Sequence, residues 1–259
     1  MIRVESWGIA GSVTGAGHVG RAWLGQSRGG AIDRTALALG NRLVGNGEDE
    51  AGIETSGGLV LAFGRPTMVA VTGALASVVV DHGPAIGWGN PIVVPPGARL
   101  RIGRLLDGAR SYVAIRGGVQ RADGELLVGP DPEVPAATEG APRRPLHTML
   151  RVWPGPRHDW FTTAAWSTLL STEFTVTATS RVGVRLAGAP LVRSRSDELP
   201  SEGLVEGAIQ VPPDGHPILM LADHPTTGGY PVIAVIDPAD VGNAAQAAPG
   251  GTLRFAAAR

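Results

Sequence analysis

Asp223 follows directly on the apolar run Ile218-Leu219-Met220-Leu221-Ala222 and precedes the polar stretch Thr226-Thr227-Gly228-Gly229-Tyr230. A carboxylate that ends a buried strand can orient a nucleophilic water or accept from an amide nitrogen. The N–H groups of two adjacent glycines can receive an oxyanion. Glycines there also let the backbone approach a ligand closely, although an ordinary glycine-rich turn fits the same letters. Glu54, in Glu54-Thr55-Ser56-Gly57-Gly58, offers a second carboxylate at the entrance to an apolar strand from Gly57 to Phe63. It suits a general base or a substrate clamp, and equally a turn terminator. Arg181 and Arg185 share one face if Ser180–Leu186 is extended; two guanidiniums so placed suit a carboxylate or phosphate, or form a surface charge pair.

Other chemistry is excluded by what the chain lacks. It contains no cysteine and no lysine, so all 22 cationic side chains are arginine. Disulfides, thiol nucleophiles, Schiff bases, lysine-bearing phosphate loops and covalently held biotin are therefore ruled out. The histidines, His18, His82, His147, His158, His216 and His224, share no helical ligand spacing. His216 and Asp223-His224 flank one strand, but no metal site is expected. No G-x-S-x-G elbow is present. A formal net charge of -1 gives no footprint for nucleic acid. No apolar stretch approaches the ~20 residues of a membrane span, and Arg3 and Glu5 interrupt the N-terminus, so a cytoplasmic chain is expected.

The elements that must position these residues read as mainly β. With 38 glycines and 21 prolines dividing short apolar runs, the chain predicts strand-rich barrels or sandwiches with few helices. Strands are expected at Thr67–Thr72, Ala76–Asp81, Pro91–Val94, Arg99–Gly103 and Arg110–Arg116. A second set is expected at Glu173–Ala178, Leu204–Val211, Pro217–Ala222 and Val232–Ile236. Asp33 predicts an N-cap for a helix over Arg34–Leu43, Asp159 one for Trp160–Leu170, and Asp237-Pro238 a third helix start. Residues 121–145 are rich in proline, alanine and glutamate without usable periodicity, and read as a linker or loose loop. Pro96–Ile102 and Pro249–Phe255 echo one another, each a turn feeding a strand.

Within the run Ser201–Pro231, the motifs Ser201-Glu202-Gly203, Gly207-Ala208-Ile209-Gln210-Val211-Pro212-Pro213-Asp214-Gly215 and Thr226–Pro231 resemble a known signature. It is that of the allophanate hydrolase subunit 2 family, also called the Kip antagonist or biotin-dependent carboxyltransferase-like family, which includes the C subunit of bacterial 5-oxoprolinase. Further matches lie at Ser27–Asp33, Asn41–Asn46, Glu54–Gly58, Val71–Ala74 and Leu150–Arg157. Two family motifs are altered here. Val13–Gly20 lacks the usual amide, acid and guanidinium, and Thr179–Leu186 lacks the usual acid. Val232 stands where many relatives carry lysine.

The resemblance implies two cyclophilin-like β-barrel domains, residues 1–125 (carboxyltransferase subdomain A-like) and 146–259, joined by a linker over 126–145. It implies the large subunit of a two-subunit, ATP-dependent 5-oxoprolinase or allophanate hydrolase-like complex that acts on a small cyclic or planar amide. The partner would be a subunit 1-like, Kip inhibitor-like protein, in an assembly such as a heterotetramer, with ATP bound on either chain. Asp223 and Glu54 would be catalytic. Thr226, Thr227, Gly228, Gly229 and Tyr230 would contact substrate, Gln210 and Asn41 would orient it, and Arg181 would hold an anionic group. The alternative is a non-catalytic regulatory subunit that sequesters a subunit 1-like inhibitor.

Overall fold

The computed structural model describes residues 1–85, 87–122, 125–142 and 144–259. The chain divides into two compact units. The first comprises residues 1–17 and 33–145, the second residues 18–32 and 146–259. Fifteen residues near the N-terminus thus fold with the second unit, a division absent from the expected domains 1–125 and 146–259.

In the first unit the strands are β1 (Ile2–Ser6), β2 (Ser12–Thr14), β3 (Gly52–Thr55), β4 (Leu59–Phe63), β5 (Thr67–Gly73) and β6 (Ala76–Val80). They continue with β7 (Pro91–Val94), β8 (Arg99–Leu105), β9 (Ser111–Ile115), β10 (Val119–Ala122) and β11 (Glu125–Val128). Hydrogen bonding sorts them into a six-stranded sheet, β10-β11-β1-β4-β8-β6, and a five-stranded sheet, β2-β3-β9-β5-β7. Two sheets thus surround this core, whereas a closed ladder of strands is found in the second unit. Leu59, Leu61 and Phe63 alternate inward along β4 against Val69, Leu100, Ile102 and Val113. Each fully buried side chain of this kind contributes about 1.5–3 kcal/mol by leaving water. β5 is covered on both faces, because α1 (Arg34–Leu43) packs on its outer side through Leu43, against Ala70 and Ala114. Asp33 caps α1 as expected, its Oδ1 accepting from Ala36 N at 3.1 Å.

The expected linker over 126–145 is not loose. Leu126 is fully buried, and β11 pairs with both β1 and β10. Beyond it, Arg116 donates to the carbonyls of Pro132 and Val134, and Ala137 N to Leu43 O. Proline prevents regular pairing here, yet two backbone carbonyls of the stretch, those of Pro132 and Val134, are taken up by one arginine. Residues 123–124 and 143, at the expected boundary, lie outside the described residues.

The second unit contains β12 (Met149–Pro154), α2 (Thr163–Ser171), β13 (Phe174–Thr179), β14 (Gly183–Ala187), β15 (Glu202–Gly203) and β16 (Ala208–Gln210). It ends with β17 (Ile218–Met220), β18 (Thr227–Gly228), β19 (Val232–Ile236), α3 (Val241–Ala245) and β20 (Thr252–Ala257). Seven strands close a barrel in the order β12-β19-β16-β17-β14-β13-β20, while β15 and β18 form a separate ribbon. The barrel is filled by Phe174, Val176, Leu186, Ile209, Leu219, Ile233 and Phe255, with Ala165 and Leu169 of α2 joining the same core.

Three expectations change in detail, and one feature of the internal echo is seen in both units. α2 begins later than expected and is capped by Thr162, whose hydroxyl accepts from Ala165 N at 3.1 Å; Asp159 falls in a preceding 3-10 turn. The strand expected over Leu204–Val211 is shortened to Ala208–Gln210, preceded by a turn at Gly207 with φ +87°, a conformation open mainly to glycine. Ala178 leaves the inward alternation of Phe174 and Val176 because a bulge shifts the register between Val176 and Ala178. Gly97 and Gly250, the paired positions of the internal echo, both adopt positive φ (+80° and +85°) in turns just before β8 and β20.

Candidate functional site

In the second unit the expected site residues fall into two groups at opposite ends of β17. Gln210 pairs with Ile218 at the start of that strand, whereas Asp223 lies beyond Met220 at its end.

At the Asp223 end, Arg181 Nε donates to Asp223 Oδ2 at 2.7 Å and Arg181 Nη2 to Oδ1 at 3.0 Å. The backbone repeats the link, Asp223 N donating to Arg181 O at 3.0 Å. Arg181 Nη2 also donates to Gly30 O at 2.7 Å, and Gly29 N to Ala222 O at 2.9 Å. The Arg181–Asp223 pair therefore anchors the 18–32 segment to the barrel. Both side chains are partly exposed, so a ligand can reach them, but the carboxylate's strongest partner is already the guanidinium. His224, next in the chain, is buried, and its Nδ1–H donates to Pro225 O at 2.7 Å.

At the Gln210 end the loop 224–231 folds over β16. Ile209 faces the barrel core, so Ala208 and Gln210 face outward into a smaller cluster with Leu204, Met220 and Val232. Gln210 Nε2 donates to Tyr230 O at 2.9 Å. A Cβ at Gly228 would stand 2.7 Å from Gln210 Nε2 and 2.8 Å from Leu204 Cδ1. Gly228 is needed for close packing; neither it nor Gly229 has a positive φ, so the glycine pair is not a left-handed hinge. Thr227-Gly228 pairs with Glu202-Gly203, and Leu204 N donates to Thr226 O at 2.9 Å. This pairing competes with the role of free oxyanion donors expected for the glycine N–H groups. Thr227 and Tyr230 present their side chains to solvent.

Three residues at this end were not expected from sequence as site components. Arg157 and Glu202 form a bidentate pair that fixes the β15–β18 ribbon. The Arg157 hydrogen bond holds the Glu202 carboxyl below its ordinary range against a smaller effect of burial. Both sit in motifs of the family signature, but 45 residues of sequence separate them. Arg193 donates Nη2 to Val211 O, and its only signal in sequence is the alternation Val192-Arg193-Ser194-Arg195-Ser196.

The two first-unit candidates are enclosed and bonded to other groups of the protein. Glu54 is fully buried: Tyr112 Oη donates to its Oε2 at 2.9 Å, and Arg110 Nη1 lies 3.7 Å from Oε1. Tyr112 Oη in turn accepts from Asp33 N at 2.9 Å, which ties the start of α1 to β3 and β9. Burial, reinforced by the charges of Glu54 and Asp33, pushes the Tyr112 phenol well above its usual pKa. Asn41 is also fully buried and committed. Its Nδ2 donates to Glu48 O (3.1 Å) and Glu50 O (2.8 Å), while Oδ1 accepts from Asn46 at 3.1 Å. Spacing alone could not separate these from ligand contacts, because a buried polar residue and a binding residue leave the same mark in one sequence.

The carboxyltransferase domain model, subdomains A and B, matches residues 24–123 and 121–257. The chain belongs to this family. It is 31% identical to the C subunit of 5-oxoprolinase from Escherichia coli K12 across 98% of this chain and 90% of that protein. Among solved structures it is similar to TTHA0988, with a TM-score of 0.83 and 32% identity over 98% of this chain but 55% of the other. It is also similar to Kluyveromyces lactis urea carboxylase, with a TM-score of 0.91 and 25% identity over the whole chain and 27% of the other. The chain thus spans about half of one of these structures and about a quarter of the other. The fold class expected from sequence, mainly β with few short helices, is the one these relatives share.

Proposed function

We propose that this carboxyltransferase-family chain is the larger subunit of a 5-oxoprolinase-type complex, which with a subunit 1-like partner and ATP opens a small cyclic or planar amide in the cytoplasm. The end-to-end match with the 5-oxoprolinase C subunit carries this reading, since the similarity to the larger urea enzymes covers only a part of their length. The Gln210 end of the barrel supports it. There a tightly packed loop presents the Tyr230 and Thr227 hydroxyls, which suit the donors and acceptors of a planar amide.

The test is to co-express the chain with its subunit 1-like partner, supply ATP and 5-oxoproline, and measure glutamate. Glutamate that depends on both chains and on ATP is the expected result. A stable complex that yields none would instead favour a second reading, a regulatory subunit that sequesters the partner. Two observations speak for that reading: Glu54 is sealed beside Tyr112 and Arg110, and Asp223 is engaged by Arg181.

A further inference from the structure

We propose that the cleft bounded by Pro190–Ser196 and Pro213–Gly215 is a binding site for a small organic carboxylate, received by the Arg193 guanidinium. It concerns the second unit alone and holds whether or not the chain takes part in catalysis.

The cleft has a volume of about 520 Å³, enough for a small metabolite. Arg193 lines it and is partly withdrawn from water, with one donor, Nη2, engaged by the Val211 carbonyl. Nε is buried without an acceptor, and among the described residues no carboxylate lies within ion-pairing distance. Desolvation lowers the Arg193 pKa, and Tyr230 and Asp214 act in the opposite sense. A guanidinium held this way is incompletely satisfied; the enclosed Nε is out of reach, and an incoming anion in the cleft pairs with the remaining N–H groups of Nη1 and Nη2.

The walls are suited to the same ligand. Asp214, the one acidic residue among the described residues that line the cleft, accepts from His216 N at 3.0 Å. Arg195 brings a second positive charge, held loosely, with Nη2 3.9 Å from Asp159 Oδ2 and its guanidinium 5.7 Å from the centre of the Trp160 ring. Ser196 adds a hydroxyl that can donate to the second carboxylate oxygen. Val192 and Pro190 supply an apolar side for a short carbon skeleton. Planar, forked recognition by arginine favours a carboxylate at such a site.

Isothermal titration calorimetry on the full chain with 5-oxoproline and succinate, with neutral 2-pyrrolidone and inorganic phosphate as comparisons, tests this. At least one carboxylate should bind, with 2-pyrrolidone and phosphate weaker by about tenfold or more. Arg193→Gln should weaken carboxylate binding by about ten- to a hundredfold. Should that variant fold poorly, Ser196→Trp, at an exposed lining position, fills the cleft and should abolish binding with an unchanged melting temperature. The proposal is overturned if neither carboxylate binds, if 2-pyrrolidone or phosphate binds as well as they do, or if the folded variants bind like the parent chain.

Discussion

Arg181 grips both carboxylate oxygens of Asp223 while the same Nη2 reaches Gly30 O at 2.7 Å, so one guanidinium joins three separated parts of the second unit. The pair looks like acid and anion clamp in the sequence, where Asp223 and Arg181 are 42 residues apart. In the fold each is the other's ligand. Asp223, still partly exposed, therefore meets a substrate as a carboxylate already paired with Arg181.

The first prediction follows from this anchor. Asp223→Asn should cost about 1–2 kcal/mol, because a charge-assisted, partly exposed pair is weakened. It should also loosen residues 18–32, whose Arg21 and Arg28 are exposed trypsin sites. Faster tryptic cleavage there, with the remainder of the barrel still resistant, is the expected outcome. Unchanged cleavage would show that the anchor does not hold the segment.

Gly228→Ala tests the loop over β16. The added methyl enters the space of Gln210 Nε2 and Leu204 Cδ1, both buried, so the Gln210–Tyr230 hydrogen bond must break or the loop must lift. Overpacking of this kind costs about 1–3 kcal/mol. Urea unfolding measures the loss. A variant as stable as the parent chain would mean that the loop yields freely.

Glu54 separates a buried structural acid from a catalytic one. Glu54→Gln leaves the Arg110 charge buried beside a neutral amide, and breaking a buried pair in this way costs roughly 3–5 kcal/mol. Tyr112→Phe removes the hydrogen bonds to Glu54 and Asp33 N and should cost about 1–3 kcal/mol. Both variants should lose activity only in proportion to the folded protein lost. Full stability with no activity in Glu54→Gln would restore Glu54 as a catalytic base.

The elements that were legible in the sequence are those whose signals are local. Pro91–Val94, Val232–Ile236 and the helix Arg34–Leu43 have apolar runs or a capping aspartate next to a clear stop, and each occurs with the bounds expected. Met149–Pro154 and Gly183–Ala187 escaped although they alternate, Leu150 and Val152 inward around Arg151, and Val184 and Leu186 inward around Arg185, because two inward residues apiece are too short a signal without the barrel pairing. The site was legible in its letters and not in its partnerships. Arg157 with Glu202 and Arg181 with Asp223 are long-range contacts, and one sequence does not say whether a charged residue faces a ligand or another charge. Arg193 left no motif at all, since its significance lies in the acceptors it lacks.

A pH dependence comes from Asp240, which accepts from both the backbone N (2.8 Å) and the Nε (2.9 Å) of Arg151 and closes β12 against the turn before α3. Burial pushes the Asp240 carboxyl upward. The hydrogen bonds from Arg151 outweigh it, helped by the charges of Arg151 and His147, and hold the pKa below its ordinary 3.8. Because the folded value is the lower one, the stabilisation is fully present above the unfolded pKa and disappears as pH falls through the folded value. Asp240→Asn removes this contribution at every pH. Melting temperatures of the two proteins should differ near neutrality and converge only as pH falls through the folded pKa, below 3.8. A gap that stays constant down to the lowest pH at which both remain folded would mean that the Asp240 charge does not supply the stabilisation.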